Sequence, residues 1–307
     1  MKKEENSPQQ FDSLSDAHRA FGLPKPVHPL ISLINGANYP GQVIRPGGLH
    51  VLHFYKISYK AKLSGKLKYG QGYYDFDEGG LLFAAPNQIV GGGSDSETMD
   101  CSQYTLLIHP DFLWNYPLAK KIKTYGFFSY STNEALHWSD KEKETIISIF
   151  RNIEEELNSR IDDFSQDVII SQIELLLTYA DRFYKRQFIT RKPVNNNLLQ
   201  QLEGILDAYF SDERSLSQGI PTVHYLAETL NLSPSYLSDM LRSLTGQNAQ
   251  QHIHSKLIEK AKERLSTTSL SVGEIAYELG FEHPQSFSKL FKTKTNLSPL
   301  EFRRSFN

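Results

Sequence analysis

The sequence predicts an α+β protein: an antiparallel β-barrel or sandwich, then a pair of long helices, then an all-α domain made of two copies of one helix–turn–helix unit. Three observations predict it. Short β-type apolar runs separated by glycines fill the stretch from about Leu30 to Ile108, the apolar period lengthens to that of a helix at Ser139, and the last third repeats its own pattern.

Composition sets the outer bounds. The chain has 307 residues, 39% hydrophobic and 22% charged, enough for two ordinary domains each with its own core. The polar start "MKKEENSPQQ" has no apolar leader, and no run of about 18 apolar residues occurs, so neither secretion nor a membrane span is expected and a cytoplasmic setting fits. A lone cysteine, Cys101, excludes an internal disulfide. The net charge of −2 offers nucleic acid no global attraction, so any such binding must come from a local face.

In the first region, "HVLHFYKISYKAKL", "GLLFAAPNQIV" and "YTLLIH" read as strands, with turns at Gly47-Gly48, Ser64-Gly65, Gly79-Gly80 and Gly91-Gly92-Gly93. From Ser139 the period is helical. Ser139 and Glu142 form a capping-box signature, and Ile146, Ile149, Phe150, Ile153 and Leu157 share one face. A second amphipathic helix carries Ile169, Ile173, Leu176, Leu177 and Ala180, and this paired stripe must be covered either by the barrel or by a second copy of the chain. "ITRKPVNNN" lacks periodicity and reads as a linker. The expected boundaries are an N-terminal arm at 1–29, the barrel at 30–138, the helical pair at 139–188, the linker at 189–197 and a helical domain at 198–307.

Within that last domain, Leu226, Ala227, Leu230 and Leu232 repeat as Ile275, Ala276, Leu279 and Phe281, 49 residues on. After one extra residue the interval becomes 50, and Leu237, Met240 and Leu241 answer to Phe287, Leu290 and Phe291. Ser271 with Glu274 and Ser298 with Glu301 are capping boxes; Pro234, Pro284 and Pro299 suit first helical turns; Gly246 and Gly280 suit helix ends. At about 100° per residue, burying Phe287, Leu290 and Phe291 turns Gln285, Lys289 and Lys292 outward, and the matched group in the first unit is Ser235, Asp239 and Arg242.

Gln can bond an adenine edge twice, and Lys can reach guanine or phosphate. Between the units, "NAQQHIHSKLIEKAKERLS" predicts a helix about 28 Å long, close to the ~34 Å between successive major-groove faces. The candidate DNA-contacting residues are therefore Ser235, Ser238, Asp239 and Arg242 in the first unit and His283, Gln285, Ser286, Ser288, Lys289, Lys292 and Lys294 in the second. Asp239 departs from the basic pattern: it can accept from cytosine N4 but repels phosphate. The segment 198–307 holds 11 Lys and Arg against 12 Asp and Glu, so affinity must come from local placement of Lys289, Lys292, Lys294, Arg242, Arg303 and Arg304, with a homodimer raising occupancy.

"LAETLNLSPSYLSDMLRSLTGQ" and, more diagnostically, "SVGEIAYELGFEHPQSFSKLFKTKTNLSPLEFR" resemble the DNA-binding domain of the AraC/XylS family of transcription regulators. The resemblance implies a seven-helix domain, reading helices near Pro234–Leu244 and Pro284–Lys294, a partner in double-stranded DNA, and action most often as an activator that contacts RNA polymerase. The N-terminal half resembles the family's cupin-like sensor in outline, which implies a small-molecule effector.

Chemistry is not expected. Phe54, Tyr55, Tyr59, Tyr69, Tyr73, Tyr74, Phe76 and Phe83 can line an effector pocket or simply form strand core. His50 and His53 stand three apart and point to opposite faces of a strand, while His28 and His109 stand alone, so no metal site and no cofactor is expected. "GGG" at 91–93 lacks the Lys-Ser/Thr of a phosphate loop. The competing reading is a cupin-type metal-dependent enzyme with a helical tail, which requires a bound metal.

Overall fold

The computed structural model describes residues 8–39, 49–60, 67–69, 72–74, 80–91, 104–131, 134, 136, 138–159, 162, 164–190 and 192–306. The expected turns at Gly47-Gly48, Ser64-Gly65, Gly79 and Gly92-Gly93, together with Phe76 and Cys101, lie outside these residues, as do the side chains of Tyr69, Tyr73 and Tyr74. Two compact units divide the chain, Met1–Gln187 and Phe188–Asn307.

The first unit holds the strands. β2 (Ile31–Asn35), β9 (Tyr104–Ile108), β4 (Tyr55–Lys60) and β7 (Gly80–Ala84) form an antiparallel sheet in that spatial order. A second sheet joins β1 (Gln9–Phe11), β3 (Leu49–Leu52) and β8 (Ile89–Gly91), and β5 (Leu67–Tyr69) pairs with β6 (Gly72–Tyr74). Among the described residues these sheets are not closed into a barrel. One pairing also departs from the antiparallel expectation, because β1 runs parallel to β3. It comes from the N-terminal arm and adds to an edge whose N–H and C=O groups are open to any passing strand.

Strand alternation decides what each face meets. Tyr55, Ile57 and Tyr59 of β4 lie opposite Ile108, Leu106 and Tyr104 of β9, and all are buried. Helix α3 (Asp140–Asn158) and the turns before it cover this face. Tyr104 stacks on Phe150 at 5.3 Å, Tyr59 meets Trp138 at 5.1 Å, and Tyr55 and Phe83 pack on Phe128 and Phe127. These rings are strand core, each satisfied by an aromatic neighbour. The arm's helix α1 (Leu14–Ala20) covers other residues: Leu14 and Ala17 pack with Phe11, Leu52, Phe54 and Leu107.

The capping box predicted at Ser139 starts α3 as expected. Helix α4 (Ser165–Thr190) buries Ile169, Ile173, Leu176, Leu177 and Ala180 within the chain itself, and Arg186 Nε meets Glu142 Oε1 of α3 at 2.9 Å. The predicted stripe is thus spent on the chain's own core. Residues 192–197, read from sequence as linker, are the first turns of α5 (Lys192–Ser211).

In the second unit α5 is followed by α6 (Arg214–Gln218), α7 (Val223–Thr229), α8 (Pro234–Thr245), α9 (Ala249–Thr267), α10 (Val272–Glu278), α11 (Pro284–Thr295) and α12 (Pro299–Arg304). The short α6 brings the described helices to one more than the resemblance implies. Repetition extends to the caps: Thr222 and Ser271 cap α7 and α10, while Asn248 and Ser298 close capping boxes on α9 and α12. Glu274 and Glu301, which accept from the backbone N–H of Ser271 and Ser298, have pKa values lowered chiefly by those bonds.

Each unit needs a left-handed residue at two matched places. Asn231 (φ 56°) answers to Gly280 (φ 87°), and Gly246 (φ 77°) to Asn296 (φ 62°), so each copy uses one glycine and one asparagine, in opposite order. Gly280 has a second reason. A Cβ there falls 2.5 Å from the backbone carbon of Gly219, the residue that ends α6, and Ser215 Oγ of α6 donates to the Glu278 carbonyl close by. Gly280→Ala is expected to cost the second unit about 2 kcal/mol or more, and Asn231→Gly less than about 1 kcal/mol. Calorimetry of the full chain carrying each change checks this.

His18 of α1 is buried between the Pro24 carbonyl and Ser32 Oγ, 2.9 Å away, and burial holds its pKa below the ordinary 6.5 despite the Pro24 bond. The unfolded chain therefore takes up this proton first as pH falls below 6.5, and stability falls with it. The melting temperature of the first unit is expected to drop between pH 7.5 and 5.5, and less so in His18→Gln.

Candidate nucleic-acid interface

Packing fixes the rotation of the two candidate reading helices. α8 buries Tyr236, Leu237, Met240 and Leu241, and α11 buries Phe287 and Phe291, with Phe287 5.5 Å from Phe281 and Phe291 5.5 Å from Phe302. Opposite those residues, Gln285, Lys289 and Lys292 are exposed and Ser288 half-buried beside them. On α8 the matched positions are Ser235, Ser238 and Asp239, all half-buried, and Arg242, which is exposed. Eight of the eleven candidates therefore lie together on matched outward faces.

The rest are placed differently. Ser286 is exposed about 100° round α11 from Gln285. Lys294 is exposed about 140° or more round from Lys289 and Lys292. It faces α9 closely enough that its charge adds to burial in lowering the pKa of His254. His283 is the residue before α11; its ring is exposed and makes no cap, whereas Ser233 at the same place before α8 is buried and caps Tyr236 N–H at 3.2 Å. Arg303 is committed elsewhere, donating to the carbonyls of Leu265 and Leu270 at 3.3 and 2.6 Å and so tying α12 to the end of α9.

The two outward faces differ in charge. On α8, Arg242 Nη1 donates to Asp239 Oδ1 at 2.7 Å, so acid and base are paired along the helix. On α11 both matched positions are lysine, and among the described residues neither is ion-paired. The (i, i+3) spacing of Asp239 and Arg242 was a signal for this pair.

In the first unit the described histidines have local partners. His50 sits edge-on to Phe11 and Phe21, His53 bonds Asn87 and approaches Asp12 at 3.3 Å, His28 accepts from Leu30 N–H, and His109 accepts from Asp111 N–H. Among the described residues no three His, Cys, Asp or Glu side chains gather as metal ligands, and no helix is long and apolar enough to cross a membrane.

Comparison with known families agrees with both halves. A helix-turn-helix domain model matches residues 226–305, and an AraC-like ligand binding domain model matches 34–174. The chain thus carries an AraC-type helix-turn-helix domain and an AraC-like ligand-binding domain, and its homologues include AraC/XylS-family regulators. The raffinose operon transcriptional regulatory protein RafR of Pediococcus pentosaceus is 37% identical over 84 residues, 27% of this chain and 30% of that protein. The uncharacterized transcriptional regulatory protein YesN of Bacillus subtilis is 37% identical over 79 residues, 25% of this chain and 22% of that one. The chain thus spans less than a third of the length of these curated relatives. Among solved structures, the C-terminal domain of the two-component response regulator yesN from Fusobacterium nucleatum is 33% identical, covering 35% of this chain and 98% of its own, with a TM-score of 0.31.

Proposed function

We propose that this chain is a sequence-specific regulator of transcription that reads double-stranded DNA with α8 and α11 and is not an enzyme. The observation that carries the reading is the exposed Gln285, Lys289 and Lys292 group, set opposite a buried aromatic face on the second helix of a duplicated unit. A helix so placed offers bidentate and cationic groups to a major groove. The family supports three further parts of the proposal: activation through contact with RNA polymerase, a small-molecule effector in the N-terminal half, and a cytoplasmic setting.

Selection of duplexes from a random pool by the full-length protein tests the reading. A motif is expected whose second half fades in Gln285→Ala/Lys289→Ala, with a loss of about 1–3 kcal/mol at that half-site. Recovery of no motif by the wild-type chain at any salt concentration, with or without candidate effectors, sinks it.

The protein acts as a homodimer in this proposal, held by the outer side of α4. With Ile173 and its neighbours buried within the chain, a different set remains: Val168 and Leu175, seven residues apart, with Phe164 just before the helix. Exposed Trp114 joins them, because Gln166 donates to the Phe112 carbonyl and Tyr116 to Asp167, which holds 112–116 beside the start of α4. A second copy covers this patch most simply, since the same surface then buries itself twice. Leu175→Glu is expected to shift sedimentation from dimer to monomer with the melting temperature little changed; an intact dimer places the interface elsewhere.

A further inference from the structure

Resting on the reading just proposed, we infer that the two helix–turn–helix copies divide the work: the Asp239–Arg242 pair makes α8 selective for a G·C step, while Lys289 and Lys292 of α11 supply most of the anchorage to phosphate. The starting point is a charge exchange at positions 50 apart. Where α11 carries Lys289 and Lys292, α8 carries Asp239 and Arg242. The outward face of α11 therefore has two positive charges and that of α8 has none in sum.

Arg242 is the more exposed of the pair, 56% against 28% for Asp239, so the guanidinium is the outer group and the carboxylate sits behind it. Only one of its five N–H donors is needed for the 2.7 Å bond to Asp239 Oδ1. The carboxylate thereby limits the rotamers of a long side chain before DNA arrives, and a guanidinium fixed in this way presents its fork most favourably to guanine O6 and N7. Asp239 also discriminates on its own account. It repels a phosphate brought to this face, and among base edges it is matched by the cytosine N4 amino group. An α8 face of this kind gains little from backbone alone and most where a guanine and a cytosine are both in reach.

On α11 the balance is reversed. Lysine is a flexible point charge that accepts phosphate or guanine with little geometric demand, and the unpaired state of both lysines leaves them available for counterion release. The half-site under α11 should therefore dominate the salt dependence, and the half-site under α8 the sequence dependence on G·C.

Duplex selection and salt titration with the full-length wild type, Asp239→Ala and Lys289→Ala test this, with melting temperatures confirming that both surface variants fold. Asp239→Ala is expected to erase the G·C preference at one half-site, reducing discrimination there by about ten- to hundredfold. It should also tighten binding to a scrambled duplex and steepen the slope of log affinity against log salt by about one, as Arg242 turns to phosphate. Lys289→Ala is expected to flatten that slope by about one and leave the G·C half-site in place. A G·C preference or a salt slope unchanged in Asp239→Ala overturns the division of labour while leaving DNA reading intact. A wild type that selects no motif overturns both together.

Discussion

Burial of two phenylalanines sets the orientation on which the functional surface depends. Once Phe287 and Phe291 are inside the second unit, with Phe281 and Phe302 against them, α11 has no rotational freedom left, and Gln285, Lys289 and Lys292 must face out. Each ring is worth several kcal/mol if truncated, far more than any solvent-exposed lysine contributes to folding. The core therefore chooses the rotation, and the outward residues are left free to be chosen for what they contact.

The duplicated unit shows what such freedom permits. Backbone requirements are kept in both copies: a side-chain cap before the first helix, a left-handed residue after it, another after the second helix, and a threonine, Thr245 or Thr295, whose hydroxyl donates to the carbonyl four residues back. Asparagine and glycine exchange places because either meets a positive φ at low cost. At Gly280 the exchange is closed, since the Gly219 backbone occupies the space of a side chain. Charge has no such constraint, and there the copies diverge most, with Asp239 in one and Lys289 in the other.

In the first unit the same economy applies to α4, which has more apolar surface than one partner covers. Ile173, Leu176 and Leu177 are fully buried, yet Val168 and Leu175 on the other side remain open. Two of the strand aromatics that looked available for a ligand are engaged in ring contacts within the core: Tyr55 packs on Phe128 and Tyr59 against Trp138. The N-terminal arm, a polar stretch with little periodicity, becomes structural through Phe11, Leu14 and Ala17, which need a surface made by distant strands.

Sequence by itself determined the elements whose cause is local. Caps at Ser139, Ser271 and Ser298, the prolines opening α8, α11 and α12, the helix ends at Gly246 and Gly280, and the outward group on α11 all follow from spacing within a few residues. Other features were decided only by tertiary contact. The parallel pairing of β1 with β3, the capture of Arg303 by the Leu265 and Leu270 carbonyls, and the approach of Lys294 to His254 of α9 each depend on a partner far away in the chain. Helix periodicity says which residues share a face, because that is a property of one segment. Which face meets a neighbour, and which cation is already spent on a carbonyl, is a property of pairs of segments, and only folding brings those together.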